Sequence, residues 1–257
     1  MYLVKSCNSE FNVANCRTLS IGSLDYYRKT FEVQIADKHE GKIKLIYKLD
    51  NFPMSQKLQS ITQLLSSKHP HEQANIRALK FGHDNSLPPD YILMEKYEAE
   101  IYLSQKNMFA FCISMNDQPE KPLDILNKYD DFWFFDYEKV DIFAKLVADA
   151  IYDEIIKREC AGESIFATHI DIEKLSVHWK AKAIDYVERE VFIDNFTLAS
   201  MQDDIIYAIE NPHFIKPLDF SPECEYRFVF EIYSGEELIA PMVDQLIIDA
   251  KEILKII

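Results

Sequence analysis

Between Glu138 and Cys160 the apolar residues Val140, Phe143, Ala144, Val147, Ile151, Ile155 and Ile156 return every three or four positions. That period lays one apolar stripe along a helix, and a helix with one such stripe must bury it against another layer. Lysine and arginine near its C-terminal end suit the negative end of the helix dipole.

The second layer is foreshadowed by segments with a two-residue period. Lys42–Leu49 alternates polar and apolar residues, as a half-buried strand does. Tyr91–Leu103 and Met108–Met115 are expected as strands, the latter covered on both faces. Further strands are expected near Leu19–Tyr27 and over Ser164–Ile172, Ala183–Ile193, Tyr226–Tyr233 and Gln245–Ile248. Asn12–Arg17 reads as a short helical turn, while Ser55–Ser67 and Ala199–Glu210 read as helices. Strands and helices mix without strict β-α-β alternation. The expectation is therefore an α+β fold, with a mainly antiparallel sheet core and several flanking helices. No linker divides the chain, so residues 1–257 are read as a single domain.

Composition narrows the function. With 48% hydrophobic and 13% aromatic residues the chain can build a sizeable core. Its 43 acidic against 28 basic side chains give a net charge of −15, which repels a phosphate backbone and disfavours extended nucleic-acid binding. The five glycines are too far apart for a glycine-rich phosphate loop. The five cysteines form no C-x-x-C pair, so no structural zinc is expected, and Cys112, inside an apolar run, reads as a small core residue. With no apolar leader and no spanning-length apolar stretch, a cytoplasmic protein away from the membrane is expected.

Two segments concentrate residues that chemistry can use. Ile21–Gly41 carries Tyr26, Tyr27 and Arg28, then Asp37, His39, Glu40 and Gly41. Phe214–Phe230 carries Glu223, Glu225 and Arg227, which share one face if the chain is extended. Two carboxylates and an arginine on one side of a strand are solvated, mutually paired or functional, because burying them unpaired is costly. An ordinary ion pair, with the tyrosines as core and rim of a sheet, accounts for the same residues. Arg77 and His83 match the R-x5-H spacing of HEPN helical ribonucleases, with Gly82 as a helix stop, but the surroundings are strand-rich. His69 and His71 flank a proline without a nearby third ligand. His169 and Asp171 alternate on an expected strand, where a hydrogen-bonded histidine suffices.

Together the two segments resemble the motifs of a large, largely uncharacterised bacterial and phage family often found near defence genes. The early element is matched by Gly22 to Arg28, Glu32, Asp37, Glu40 and Gly41. The late one is matched by Phe214, Lys216, Pro217, Glu223, Glu225, Tyr226 and Arg227. The late strand is also similar, more loosely, to that of ADP-ribosyltransferases. That likeness implies an NAD-using transferase, a toxin or anti-phage effector, with a nucleotide or dinucleotide as its small-molecule partner. Glu225 and Glu223 would be its catalytic carboxylates, and Tyr26, Tyr27, Arg28 and Arg227 would hold NAD. The first strand departs from the transferase pattern, supplying only Lys5 where those enzymes carry His or Arg. Two other readings stand beside it. One is a metal-dependent nuclease or phosphodiesterase on Asp37, Glu40, Glu223 and Glu225. The other is a non-catalytic module whose acidic surface binds a protein partner.

Overall fold

A computed structural model describes residues 1–30, 37–60, 73–82, 84–120 and 128–257. In chain order its elements begin with β1 (Tyr2–Cys7), α1 (Val13–Cys16), β2 (Thr18–Ser23) and α2 (Leu24–Lys29). Strands β3 (Lys42–Ser55), β4 (Gln73–Gly82), β5 (Tyr91–Ser104), β6 (Phe109–Asn116) and β7 (Asp131–Asp136) follow, then the long helix α3 (Val140–Ala161). After it come β8 (Leu175–Ala183), β9 (Asp185–Tyr186), β10 (Glu190–Asp194) and α4 (Asn195–Glu210). The chain closes with β11 (Ile215–Lys216), β12 (Glu225–Ser234), β13 (Glu237–Ile239) and β14 (Gln245–Asp249). The fold is α+β with mainly antiparallel sheets, as the mixed periodicities imply.

The chain forms two compact units, each assembled from separated pieces. The first comprises Met1–Glu40, Lys106–Ile184 and Asp219–Ile257, and the second Gly41–Gln105 and Asp185–Leu218. No change of composition marks these boundaries, so the sequence reads as one uninterrupted stretch.

In the first unit β13, β12, β6, β1 and β7 lie side by side, with β8 against β12 and the β2–β14 pair joined through β6. Cross-strand partners share a face. Leu3, Phe109, Phe111, Ile113, Phe228 and Phe230 point to one side and form a single buried cluster with the stripe of α3. Phe143 of α3 sits at its centre, 4.6 Å from the Phe135 ring and 5.0 Å from Phe228. Cutting such a side chain to alanine costs about 3–5 kcal/mol. The helix stops at Gly162, whose φ of 75° is left-handed and whose N–H reaches the carbonyls of Arg158 and Glu159.

The second unit is a four-stranded sheet in the order β10-β3-β5-β4, with β10 parallel to β3. Its inner face, including Leu45, Tyr47, Tyr97 and Ile101, packs on Leu198, Ile205 and Ile209 of α4. Asp194 caps that helix by accepting from the Thr197 N–H.

Several expectations need correction. Ser164–Ile172 is not a strand: Ile165, Phe166 and Ile170 are loop residues buried in the core, with one isolated bridge from Phe166 to Pro241. His169 is exposed there, and Asp171 caps a short turn at Ile172–Lys174. The expected strand Ala183–Ile193 is split into β9 and β10, while β4, β7 and β8 were not foreseen. Strand β2 ends at Ser23, so Tyr26 and Tyr27 are helical. Arg77 and Gly82 lie in β4 and not on a helix. His69, His71 and His83 lie outside the described residues, as does the end of the expected helix beyond residue 60.

Candidate functional site

The sheet of the first unit has a second face, opposite its aromatic core. Along β6 the sequence Phe-Ala-Phe-Cys-Ile-Ser sends Phe109, Phe111 and Ile113 into the core, leaving Ala110, Cys112 and Ser114 on the other side. The register sets Arg227 opposite Cys112 and Glu225 opposite Ser114, on that same side. Cys112 is thus not a filler of the aromatic core. It lies beside the guanidinium on a small, polar surface.

Helix α2 and the turn at residues 37–40 cover this surface. Ser23 starts the helix by accepting from the Tyr26 N–H at 3.2 Å. Tyr27 then reaches back over β2 to the Ala110 carbonyl, 3.3 Å from its hydroxyl. Glycine at position 22 leaves room for this, because a Cβ there would stand 2.9 Å from the Tyr27 Cζ and hydroxyl oxygen and the ring would have to shift. Burial, reinforced by Cys112 and Glu225, pushes the Tyr27 hydroxyl well above the ordinary tyrosine value. Asp37 organises the turn: its carboxylate accepts from the His39 N–H, and its own N–H donates to the Tyr27 carbonyl. Glu40 then points inward.

Arg227 joins the two motif segments. Its Nε donates to Glu225 Oε1 at 2.7 Å, and Nη1 and Nη2 donate to Glu40 Oε1 and Oε2 at 2.5 and 3.1 Å. This is a bidentate clasp with a third bond at the side. The side chains of Arg227, Glu40 and Glu225 are only 1%, 1% and 4% exposed. Burial works against the Arg227 charge, but Glu225 and Glu40 outweigh it and hold the guanidinium protonated. Arg28 supports the clasp from outside, donating from Nε to the Glu40 carbonyl at 2.8 Å and from Nη1 to Asp25 at 2.8 Å.

The structure therefore brings Tyr27, Arg28, Glu225 and Arg227 into one neighbourhood. Tyr26 stands at its margin, its ring edge-on to Tyr27 at 5.4 Å. Glu223 does not share the face of Glu225 and Arg227. It closes a 3-10 turn ahead of β12, and Cys224 between them takes a left-handed φ of 44°. The extended spacing expected over Glu223–Arg227 thus holds only from Glu225 onward. Phe214 and Lys216 of the late motif are buried residues of the second unit. Lys5 donates to the Cys112 carbonyl at 2.8 Å and lies over the Phe111 ring. Glu32 lies outside the described residues.

Among the described residues, no group of three or more histidine, cysteine or acidic side chains is placed to hold a metal ion. Nor is any described helix long and apolar enough to cross a membrane. No protein family matches the chain, and neither does any curated protein or solved structure.

Proposed function

We propose that this chain is a non-catalytic binding module, in which the two motif segments lock the fold and the acidic surface meets a basic partner. One observation carries this reading. The carboxylates best placed for chemistry, Glu40 and Glu225, are buried and bonded to the same guanidinium. A carboxylate that stabilises an oxocarbenium-like ribose has to face the substrate. Glu225 instead faces Arg227, inside the protein. The net charge of −15 supports the second half of the proposal, since such a surface steers cationic partners and repels polyanions.

A second reading, an NAD-using ADP-ribosyltransferase, is favoured by the meeting of the early and late segments through Arg28, Glu40 and Arg227. Incubation of the purified protein with NAD, alone and with cell lysate, separates the two. The binding-module reading expects no nicotinamide release above buffer in either arm. Release that is lost in Glu225→Gln, with an unchanged circular dichroism spectrum, would overturn it in favour of the transferase.

A further inference from the structure

Helix α4 turns Leu198, Ile205, Ile206 and Ile209 onto the sheet of the second unit, and its other side faces solvent. Phe196, Ser200, Asp203, Tyr207 and Glu210 follow one another on that outer side at steps of three and four, all of them exposed, with Asp204 next to them. Phe196 is 80% exposed, and Met201, where the helix kinks, is 48% exposed. A ring left almost wholly in water adds little to the fold, and exposed apolar side chains rimmed by polar ones mark a contact surface.

The rim carries one sign of charge. Residues 190–215 hold five acids and no lysine or arginine, the longest run in the chain without either. Glu190 pairs with Lys44 of β3, and Asp194, which lies opposite Lys48, caps the helix. Asp203, Asp204 and Glu210 form no ion pair among the described residues. This combination selects the occupant. A second copy would bring the same carboxylates face to face, and a nucleic acid or an anionic bilayer would set its phosphates against them. A cationic segment that also carries a large apolar residue suits both the ring and its rim, and an arginine can in addition stack on Phe196.

We propose that the outer side of α4 receives a cationic amphipathic segment of another protein. Its apolar residues rest on Phe196 and Met201, and its lysines or arginines meet Asp203, Asp204 and Glu210. From Phe196 to Glu210 the helix runs roughly 21 Å, so a partner helix of about four turns covers it. The inference rests on the binding-module reading and adds to it the place and the chemical class of the partner.

Fluorescence anisotropy with the full chain and a labelled leucine-lysine peptide of helical period, four turns long, tests this; the same peptide with glutamate for lysine is the control. Wild type is expected to bind the lysine peptide, more weakly as salt rises, and not the glutamate one. Phe196→Ser, and Asp203→Asn together with Asp204→Asn, should each weaken binding at least tenfold with an unchanged circular dichroism spectrum. Asp153→Asn together with Glu163→Gln removes as much charge from α3 and the turn after it, and should weaken binding less than twofold. Binding that ignores the α4 variants, or falls equally in the α3 variant, overturns this location and leaves the binding-module reading standing. A wild type that binds no lysine peptide overturns both. Sedimentation velocity of the protein alone adds a last arm: a dimer dispersed by Phe196→Ser would assign the face to a second copy and overturn the proposal.

Discussion

Replacing Arg227 by methionine tests the buried clasp most directly. The substitution keeps much of the volume and removes the cation, leaving Glu40 and Glu225 enclosed without their shared partner. Three hydrogen bonds are lost, at 2.7, 2.5 and 3.1 Å, among side chains no more than 4% exposed. Water cannot replace the guanidinium without opening the cover formed by α2 and the turn at residues 37–40. Removing one member of a buried ion pair costs about 3–5 kcal/mol, a large part of the roughly 5–15 kcal/mol by which a folded protein is stable. At roughly 2–4 °C per kcal/mol for a chain of this size, that is a fall in Tm of about 6–20 °C. Differential scanning calorimetry is the suitable assay, because two compact units need not melt as one. Arg227→Lys should fall in between, since it retains charge but not the fork that holds both Glu40 oxygens. In a Glu40→Gln background the Arg227→Met penalty should shrink by at least ~1 kcal/mol, the coupling expected of direct partners. A loss below ~2 °C, or strictly additive penalties, would refute the clasp as a stabilising element.

Three further outcomes follow from the same geometry. Gly22→Ala forces a methyl group to within 2.9 Å of the Tyr27 ring and should cost about 1–3 kcal/mol by thermal melting. Adding Tyr27→Leu should remove that penalty, so a double variant melting well below Tyr27→Leu alone would contradict the close approach. Cys7 is buried and its thiol is pushed up to about 11 by burial and Asp131, whereas Cys160 is exposed. Native alkylation near neutral pH, read by peptide mass spectrometry, should therefore modify Cys160 and spare Cys7; comparable labelling would exclude this placement. At alkaline pH the folded chain keeps protons that the unfolded chain releases. The Cys7 thiol rises from 9.0 to about 11, and burial pushes Tyr97 from 10.0 to about 12. Their contribution to stability is complete below the lower values and is lost as pH climbs through those windows. Phenolate absorbance and circular dichroism should change together; free titration of all 14 tyrosines without unfolding would count against it.

How much of this was legible in the sequence depends on the range of the interaction concerned. Helix α3 was readable because its apolar period is local, continuous and bounded by Gly162. Strands β3, β5, β6 and β12 were readable for the same reason. Strand β8 carries the same local two-residue signal, Leu175, Val177, Trp179, Ala181 and Ala183 alternating with Ser176, His178, Lys180 and Lys182, and was overlooked all the same. Strand β4 does hide its pattern: two register shifts align Ile76, Leu79 and Phe81, which no fixed period connects. The site divides in the same way. Spacing showed that Glu225 and Arg227, two apart on one strand, are solvated, mutually paired or functional, and the structure shows them paired. Nothing local shows that the other half of the clasp is Glu40, 187 positions earlier in the chain. In the sequence Gly22 and Gly41 only frame the early segment; in the structure the Tyr27 ring lies close over Gly22, and Gly41, with a φ of 65°, follows Glu40 at the end of its turn. Glu40 of the early motif and Glu225 and Arg227 of the late one are thus the two sides of one buried contact. That accounts for arginines and carboxylates recurring in both without requiring either motif to touch a substrate.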